Sequence, residues 1–356
     1  VQEFYRCDRV ILLVSLITNI MGKETAVEMI NESKFVLLSS PLMHEFGSEV
    51  CLYLEEYAVS IPHYRINFTT FANGELLPQI PHTIRGQHVF FLHALQHPDP
   101  NTATMMMLIA SDAIKRASAA GITLVVPYLS YLRQDRKDKP RVPISARLLA
   151  DLIESNHAVK GLITIDMHAE QEQGFFSIPV DNLTGVTVFS EHLRRKFNSD
   201  FSDVIMMAPD FGGAVRNRRL ARALGDVPVC ILEKRRTGPN KAEVFSVIGE
   251  SVADRRVVIY EDMIDSGGTA ILASEKVAAM GAREVYLCAT HGIFSCGAEK
   301  RFCEKNIAVA CTNSIPRSAD YYLQEPWLTN VSVVSYFADA IHEAAQVGGS
   351  ISKLCQ

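Results

Sequence analysis

The run VVIYEDMIDSGGTA, Val257 to Ala270, ends an apolar β-rich stretch in two adjacent carboxylates, Glu261 and Asp262. Asp265, Ser266, Gly267, Gly268 and Thr269 then open a helical pattern. Glycines let a backbone turn tightly with several N–H groups aimed into one concavity. A helix N-terminus adds positive partial charge there, so the segment fits a phosphomonoester. Ser266 and Thr269 add hydroxyl donors, and carboxylates at a strand end accept from a vicinal diol such as the 2- and 3-hydroxyls of ribose. The plainer alternative is a capped helix after an acidic turn. Neither GxxxxGK[ST] nor GxGxxG occurs, which disfavours a P-loop hydrolase or a dinucleotide enzyme.

Four further segments carry charge at positions where chemistry is done. In LRQDRKDKPR, Arg133, Arg136, Lys137, Lys139 and Arg141 crowd a loop between an apolar strand and the helix ISARLLADLIE, where an α/β sheet receives polyphosphate. A solvated charge run is the other reading, above all for Lys137 and Lys139. ITIDMHAEQ puts Asp166 and His168 at alternate positions leaving a strand, so both are expected to face one side and hold or orient a divalent ion. A lone histidine also serves as a packing residue. In APDFGG, Asp210 ends the strand VIMMA, and Gly212 and Gly213 open the next helix, either as a second anion cradle or as a plain turn. EKRRTGPNKAE reads as a mobile cationic loop with Lys234, Arg235 and Arg236 before Gly238 and Pro239, able to close on a transferring diphosphoryl group, or as a charged hairpin tip. NFTTFANGELL, with Phe71, Asn73 and Glu75, is by itself an ordinary loop.

The elements that position these residues follow from the alternation of short β-rich runs with helical patterns. FVLLSS, a helix near Phe46 to Tyr57, HVFFLHA, a helix near Thr104 to Ala120 and ITLVVPYLS form βαβ units on a mostly parallel sheet. The stretch from VFFLHALQHPDPNT can be laid against that from VVIYEDMIDSGGT, which indicates two similar α/β halves with a boundary near Asn182 to Thr187. Helical stripes are expected at Met106, Ala110, Ala113 and Ala117, and at Ala273, Val277 and Met280. The domains are therefore set at 1–33 (an extension), 34–184 and 185–356. With 356 residues, 48% hydrophobic and a net charge of −5, the chain is globular, and neither nucleic acid nor membrane is indicated as a partner. Eight cysteines without a CxxC pair favour reduced thiols, hence a cytoplasmic setting. The apolar run Val10 to Met21, behind Arg6 and Arg9, is too short to span a bilayer. It reads as an organellar targeting remnant or as an element packed on the body. Ser352, Lys353 and Leu354 are not terminal, so they give no peroxisomal address.

The EDMIDSGGT motif resembles the phosphoribosyl-diphosphate loop of type I phosphoribosyltransferases. With YLRQDRKDKPRVPISARLLADLIE, TIDMHAEQEQGFFSIPVDNL, APDFGGAVR and EKRRTGPNKAEV, the chain from about Phe35 to Gln346 resembles the ribose-phosphate diphosphokinases, or phosphoribosyl pyrophosphate synthetases. The resemblance implies an α/β fold of two phosphoribosyltransferase-like domains, each a mostly parallel sheet flanked by helices. It implies transfer of a diphosphoryl group from MgATP to ribose 5-phosphate. Under it Lys234, Arg236 and His168 are catalytic, and Glu261, Asp262, Asp265, Ser266, Gly267, Gly268 and Thr269 bind ribose 5-phosphate. Phe71, Asn73, Glu75, Arg133, Gln134 and Asp135 bind ATP, and His168, Asp210 and Asp166 contact Mg2+. Hexamers built from dimers, with the Phe71 loop reaching a neighbouring subunit, are the implied homo-oligomer. Glu261 and Asn73 depart from the family's usual acids, aspartate in the first case. HALQHPDPNT is unlike the corresponding part of its regulatory site. Two rivals are a regulatory synthetase-associated subunit and a nucleobase phosphoribosyltransferase.

Overall fold

The structure, a computed structural model, describes residues 34–96, 99–236 and 243–355, with backbone only at 234–236 and 243–244. The extension at 1–33 and its apolar run lie outside the described residues. The first half contributes β1 (Phe35–Ser39), β2 (His63–Arg65), β5 (His88–Leu92), β6 (Gly121–Val125), β7 (Val159–Ile165) and β8 (Val180–Leu183). They form a parallel sheet in the order β2-β1-β5-β6-β7-β8. A separate hairpin, β3 (Asn67–Thr70) and β4 (Leu76–Gln79), stands apart from it. The second half supplies β9 (Val204–Ala208), β10 (Val229–Arg236), β11 (Glu243–Ile248), β12 (Arg256–Ile264), β13 (Glu284–Gly292), β14 (Ala308–Thr312) and β15 (Leu328–Val331). Their order is β11-β10-β9-β12-β13-β14-β15. Only β10 and β11 pair antiparallel in this sheet. Apart from β11 the two orders superimpose, with β1 matching β9 and β5 matching β12. The two similar halves read from the sequence are therefore present.

Helices α1 (His44–Glu56), α2 (Pro100–Arg116), α3 (Ser145–Glu154), α4 (Gly185–Lys196), α5 (Ala214–Ala223), α6 (Gly268–Ala279), α7 (Ala298–Glu304), α8 (Ala319–Gln324) and α9 (Val334–Ala345) flank these sheets. Helix α2 begins a turn earlier than the apolar period suggests. Asp99 caps it by accepting from the N–H groups of Asn101 (2.9 Å) and Thr102 (3.0 Å), and Pro100 presets the first helical φ. Its buried face is Ala103, Met107, Ala110 and Ile114; of the expected stripe Ala110 is buried, and Met106, Ala113 and Ala117 are partly so. Three consecutive methionines leave the period ambiguous, and the side adjoining the larger Ile114 is the one buried. In α6, Ala273 and Val277 are buried as expected and Met280 is partly so.

Central strands such as FVLLS and VIMMA are apolar on both faces because both faces are covered. Between the sheets lies one shared core that joins Leu37, Phe90 and Ile163 of the first half to Val258, Tyr260 and Phe337 of the second. Helix α9 reaches back across this core onto α1. Phe337 meets Phe46 edge-on at 6.0 Å, and Tyr57 Oη donates to Asp339 at 2.6 Å. Among the described residues no helix is long and apolar enough to cross a membrane. The described cysteines are unpaired; Cys230, Cys288 and Cys311 are buried, and Cys296 and Cys303 are exposed.

Candidate active site

The carboxyl ends of β9 and β12, where the second sheet reverses its order of addition, open on a cleft of about 580 Å³. Asp210, Phe211, Glu233, Ser266, Gly268 and Thr269 are among its lining residues. The strand-to-helix turn on its floor depends on Gly267, which caps α6 at φ +74°. A Cβ there would stand 2.8 Å from Phe302, whose ring stacks on Trp327 at 5.2 Å, whereas Gly268 faces open space. The first glycine shapes the turn, and the second lets a ligand approach the N–H groups at the start of α6. Asp265 is fixed from both sides: Ser295 Oγ donates to Oδ1 at 2.5 Å, and Arg133 of the first half donates to Oδ2 at 2.5 Å.

Where the halves meet, His168 Nδ1 lies 2.7 Å from Asp262 Oδ2, and Arg216 Nη1 donates to Asp262 Oδ1 at 3.2 Å. Burial alone would raise the Asp262 carboxyl. The His168 hydrogen bond and the Arg216 charge outweigh it and hold that carboxyl below its ordinary value. The Asp262 hydrogen bond raises His168 against the opposing effect of burial. Glu261, with burial first and the neighbouring Asp262 charge second, is pushed up to about 8. The two carboxyls of the pair are thus driven in opposite directions, Glu261 up and Asp262 down.

These features coincide with a family. Residues 35–156 match the model of the N-terminal domain of ribose phosphate pyrophosphokinase, and residues 183–324 match the phosphoribosyl transferase domain. The ribose-phosphate pyrophosphokinase of Aquifex aeolicus is 42% identical over 287 residues, covering 80% of this chain and 89% of that protein. The chain belongs to the ribose-phosphate pyrophosphokinase family. The pyrophosphokinase of Clostridium acetobutylicum is 42% identical over 272 residues, with 76% of this chain and 83% of that one covered. Among solved structures, phosphoribosylpyrophosphate synthetase from Mycobacterium smegmatis superposes with a TM-score of 0.78 at 31% identity, over 87% of this chain and 98% of that one.

Not every residue expected to serve a pyrophosphokinase site gathers in the cleft. Asp166 is taken up by donors of the second half. It follows the last residue of β7 at φ +43°, which ends the strand alternation, and its Oδ2 accepts from Tyr260 Oη (2.6 Å), Thr290 Oγ1 (2.5 Å) and Gly185 N (3.2 Å). Asp210 Oδ1 accepts from Gly213 N at 2.9 Å, closing the turn before α5. Gln134 Oε1 accepts from Ser145 Oγ at 2.6 Å at the start of α3, and Asp135 is half-buried beside it. Phe71, Asn73 and Glu75 form the tip of the β3–β4 hairpin, where Asn73 Oδ1 accepts from Glu75 N at 3.1 Å and Phe71 is exposed. Lys234 and Arg236 are in β10, opposite Phe245 and Glu243 of β11, so the strand runs on where a loop was expected. Their side chains and residues 237–242 lie outside the described residues.

Sequence reading missed Arg216, Asn217, Tyr260 and Glu172. Arg216 is one of several arginines in AVRNRRLAR, and nothing local sets it apart. Glu172 is wholly buried: Oε2 accepts from Ala169 N at 3.0 Å, Oε1 has no hydrogen-bond partner, and burial pushes its carboxyl up to about 7.

Proposed function

We propose that the protein transfers the β,γ-diphosphoryl group of MgATP to the C1 hydroxyl of ribose 5-phosphate, giving phosphoribosyl pyrophosphate and AMP for nucleotide biosynthesis. The observation that carries this reading is the meeting of His168, from the first half, with the Asp262–Arg216 pair beside the Gly267 turn of the second. In this reading the N–H groups at the start of α6, with Ser266 and Thr269, hold the 5-phosphate. Glu261 and Asp262 orient the sugar hydroxyls. Arg133, released from Asp265, turns to the polyphosphate, and Lys234 and Arg236 neutralise charge that spreads over the transferring group. The C1 oxygen attacks the β-phosphorus in line, AMP leaves, and no covalent enzyme intermediate is needed.

The described side chains contain no cluster of three or more His, Cys, Asp or Glu able to hold a metal by themselves. Mg2+ keeps waters and binds through substrate phosphates with one or two protein groups, so it needs no such cluster. Asp210 would hold it through Oδ2, since Oδ1 is taken by Gly213 N, and His168 through the ring nitrogen not engaged by Asp262. Bound with ATP, the ion would supply charge bridging the phosphates. A homo-oligomer in which the Phe71 hairpin completes a neighbour's nucleotide site is part of the proposal. So is a cytoplasmic location, supported by the unpaired described cysteines. The test is incubation with MgATP and ribose 5-phosphate while both products are followed by 31P NMR. Equal AMP and phosphoribosyl pyrophosphate are expected. Base-dependent consumption of phosphoribosyl pyrophosphate without any need for ATP would refute the reading.

A further inference from the structure

We infer that Tyr260 is a positioning residue whose hydroxyl locks the histidine of the first half to the acid pair of the second, an inference that rests on the diphosphotransfer reading above. Asp166 stands at φ +43°, a left-handed backbone position that aspartate adopts more readily than most residues and that its side-chain hydrogen bonds hold in place. Three donors converge on its Oδ2: Tyr260 Oη at 2.6 Å, Thr290 Oγ1 at 2.5 Å and Gly185 N at 3.2 Å. The fit admits nothing larger, because a Cβ on Gly185 would stand 2.6 Å from both Asp166 Oδ2 and Tyr260 Oη.

Tyr260 is clamped along its backbone as well. Its N–H donates to Asn217 Oδ1 at 3.1 Å, and its carbonyl accepts from Asn217 Nδ2 at 2.8 Å. His168, Glu261, Asp262 and Arg216 each lie within two residues of Asp166, Tyr260 or Asn217 in the chain. Met167 N, the remaining link to His168, donates to Asn182 Oδ1 at 3.1 Å. The tyrosine ring is fully buried against Phe189 at 5.1 Å, a packing role that phenylalanine would fill equally well. The hydroxyl is therefore explained by Asp166 and by the joint it makes between β7 and β12.

In-line transfer needs the reacting groups aligned to within a fraction of an ångström, so a loosened joint slows the chemical step more than it weakens substrate binding. The test compares Tyr260→Phe with the wild-type full chain in steady-state assays of AMP release from MgATP and ribose 5-phosphate. At least about a tenfold fall in kcat is expected, with both KM values changed by no more than about twofold. A hydroxyl with only a structural role would lower Tm and leave kcat of the folded enzyme intact, and that result overturns the inference. If Tyr260→Phe does not fold, Asp166→Asn replaces it. This variant keeps the side-chain size and an oxygen for Gly185 N–H while weakening the acceptor, and unchanged kcat there is equally decisive. A wild-type chain that releases no AMP refutes the proposed function itself, whereas an active wild type matched by Tyr260→Phe refutes only the role of the hydroxyl.

Discussion

Gly267 and Gly268 are neighbours in sequence and should respond in opposite ways to the same added methyl group. Replacing Gly267 by alanine keeps a backbone at φ +74°, which costs an L-residue about 1–2 kcal/mol. The new Cβ would also start 2.8 Å from Phe302 Cε2. That ring cannot retreat, since it is fully buried, stacks on Trp327 at 5.2 Å and meets Phe294 edge-on at 6.1 Å. Overpacking of this kind adds about 1–3 kcal/mol. The sum, about 2–5 kcal/mol, should lower Tm by on the order of 5–10 °C. Gly268→Ala meets nothing nearer than Ser266 Oγ at 4.0 Å and has no positive φ, so its stability should stay within about 0.5 kcal/mol of wild type. Thermal and urea unfolding of the two variants side by side is the assay. Equal destabilisation, or greater damage from Gly268→Ala, would refute the claim that the first glycine shapes the turn and the second only leaves it open.

The raised carboxyl of Glu261 makes folding favour its protonated form. Its contribution should therefore decline as pH climbs from the ordinary carboxyl range towards about 8, and Glu261→Gln should gain stability over wild type across that window in urea titrations. Asp262→Asn removes the ion-pair partner of the partly buried Arg216 and weakens the acceptor for His168; a loss of about 1–3 kcal/mol is expected from chemical denaturation. The depressed Asp262 carboxyl has the reverse pH dependence: its stabilisation is present above the ordinary range and lost in acid, so the wild-type advantage over Asp262→Asn should shrink as pH falls. Lys234→Ala should cut turnover at least ~100-fold while calorimetry shows ribose 5-phosphate bound much as before, and undiminished turnover would remove Lys234 from the mechanism.

The glycine turn after β12 was legible because a fixed run of residue types defines it locally. The two-sheet architecture was legible because apolar runs and helical periods alternate throughout the chain. Contacts made across the halves were not. Nothing near Asp166 in the sequence says that a tyrosine 94 positions later takes up its oxygen. The pairing of Arg133 with Asp265, 132 residues apart, escaped for the same reason: each was assigned to a different substrate by its own neighbourhood. The stripe on α2 held at Ala110 but not at Met106, because several phases of a methionine-rich helix look equally apolar until tertiary packing selects one.

The docking of α9 onto α1 has a bearing on synthesis at the ribosome. The first sheet is complete once Leu183 has emerged, yet the Phe46 side of its covering helix awaits Phe337. At ordinary elongation rates that surface stays bare for on the order of ten seconds. A nascent chain halted anywhere in the second half should therefore present a sticky apolar flank until the last helix arrives.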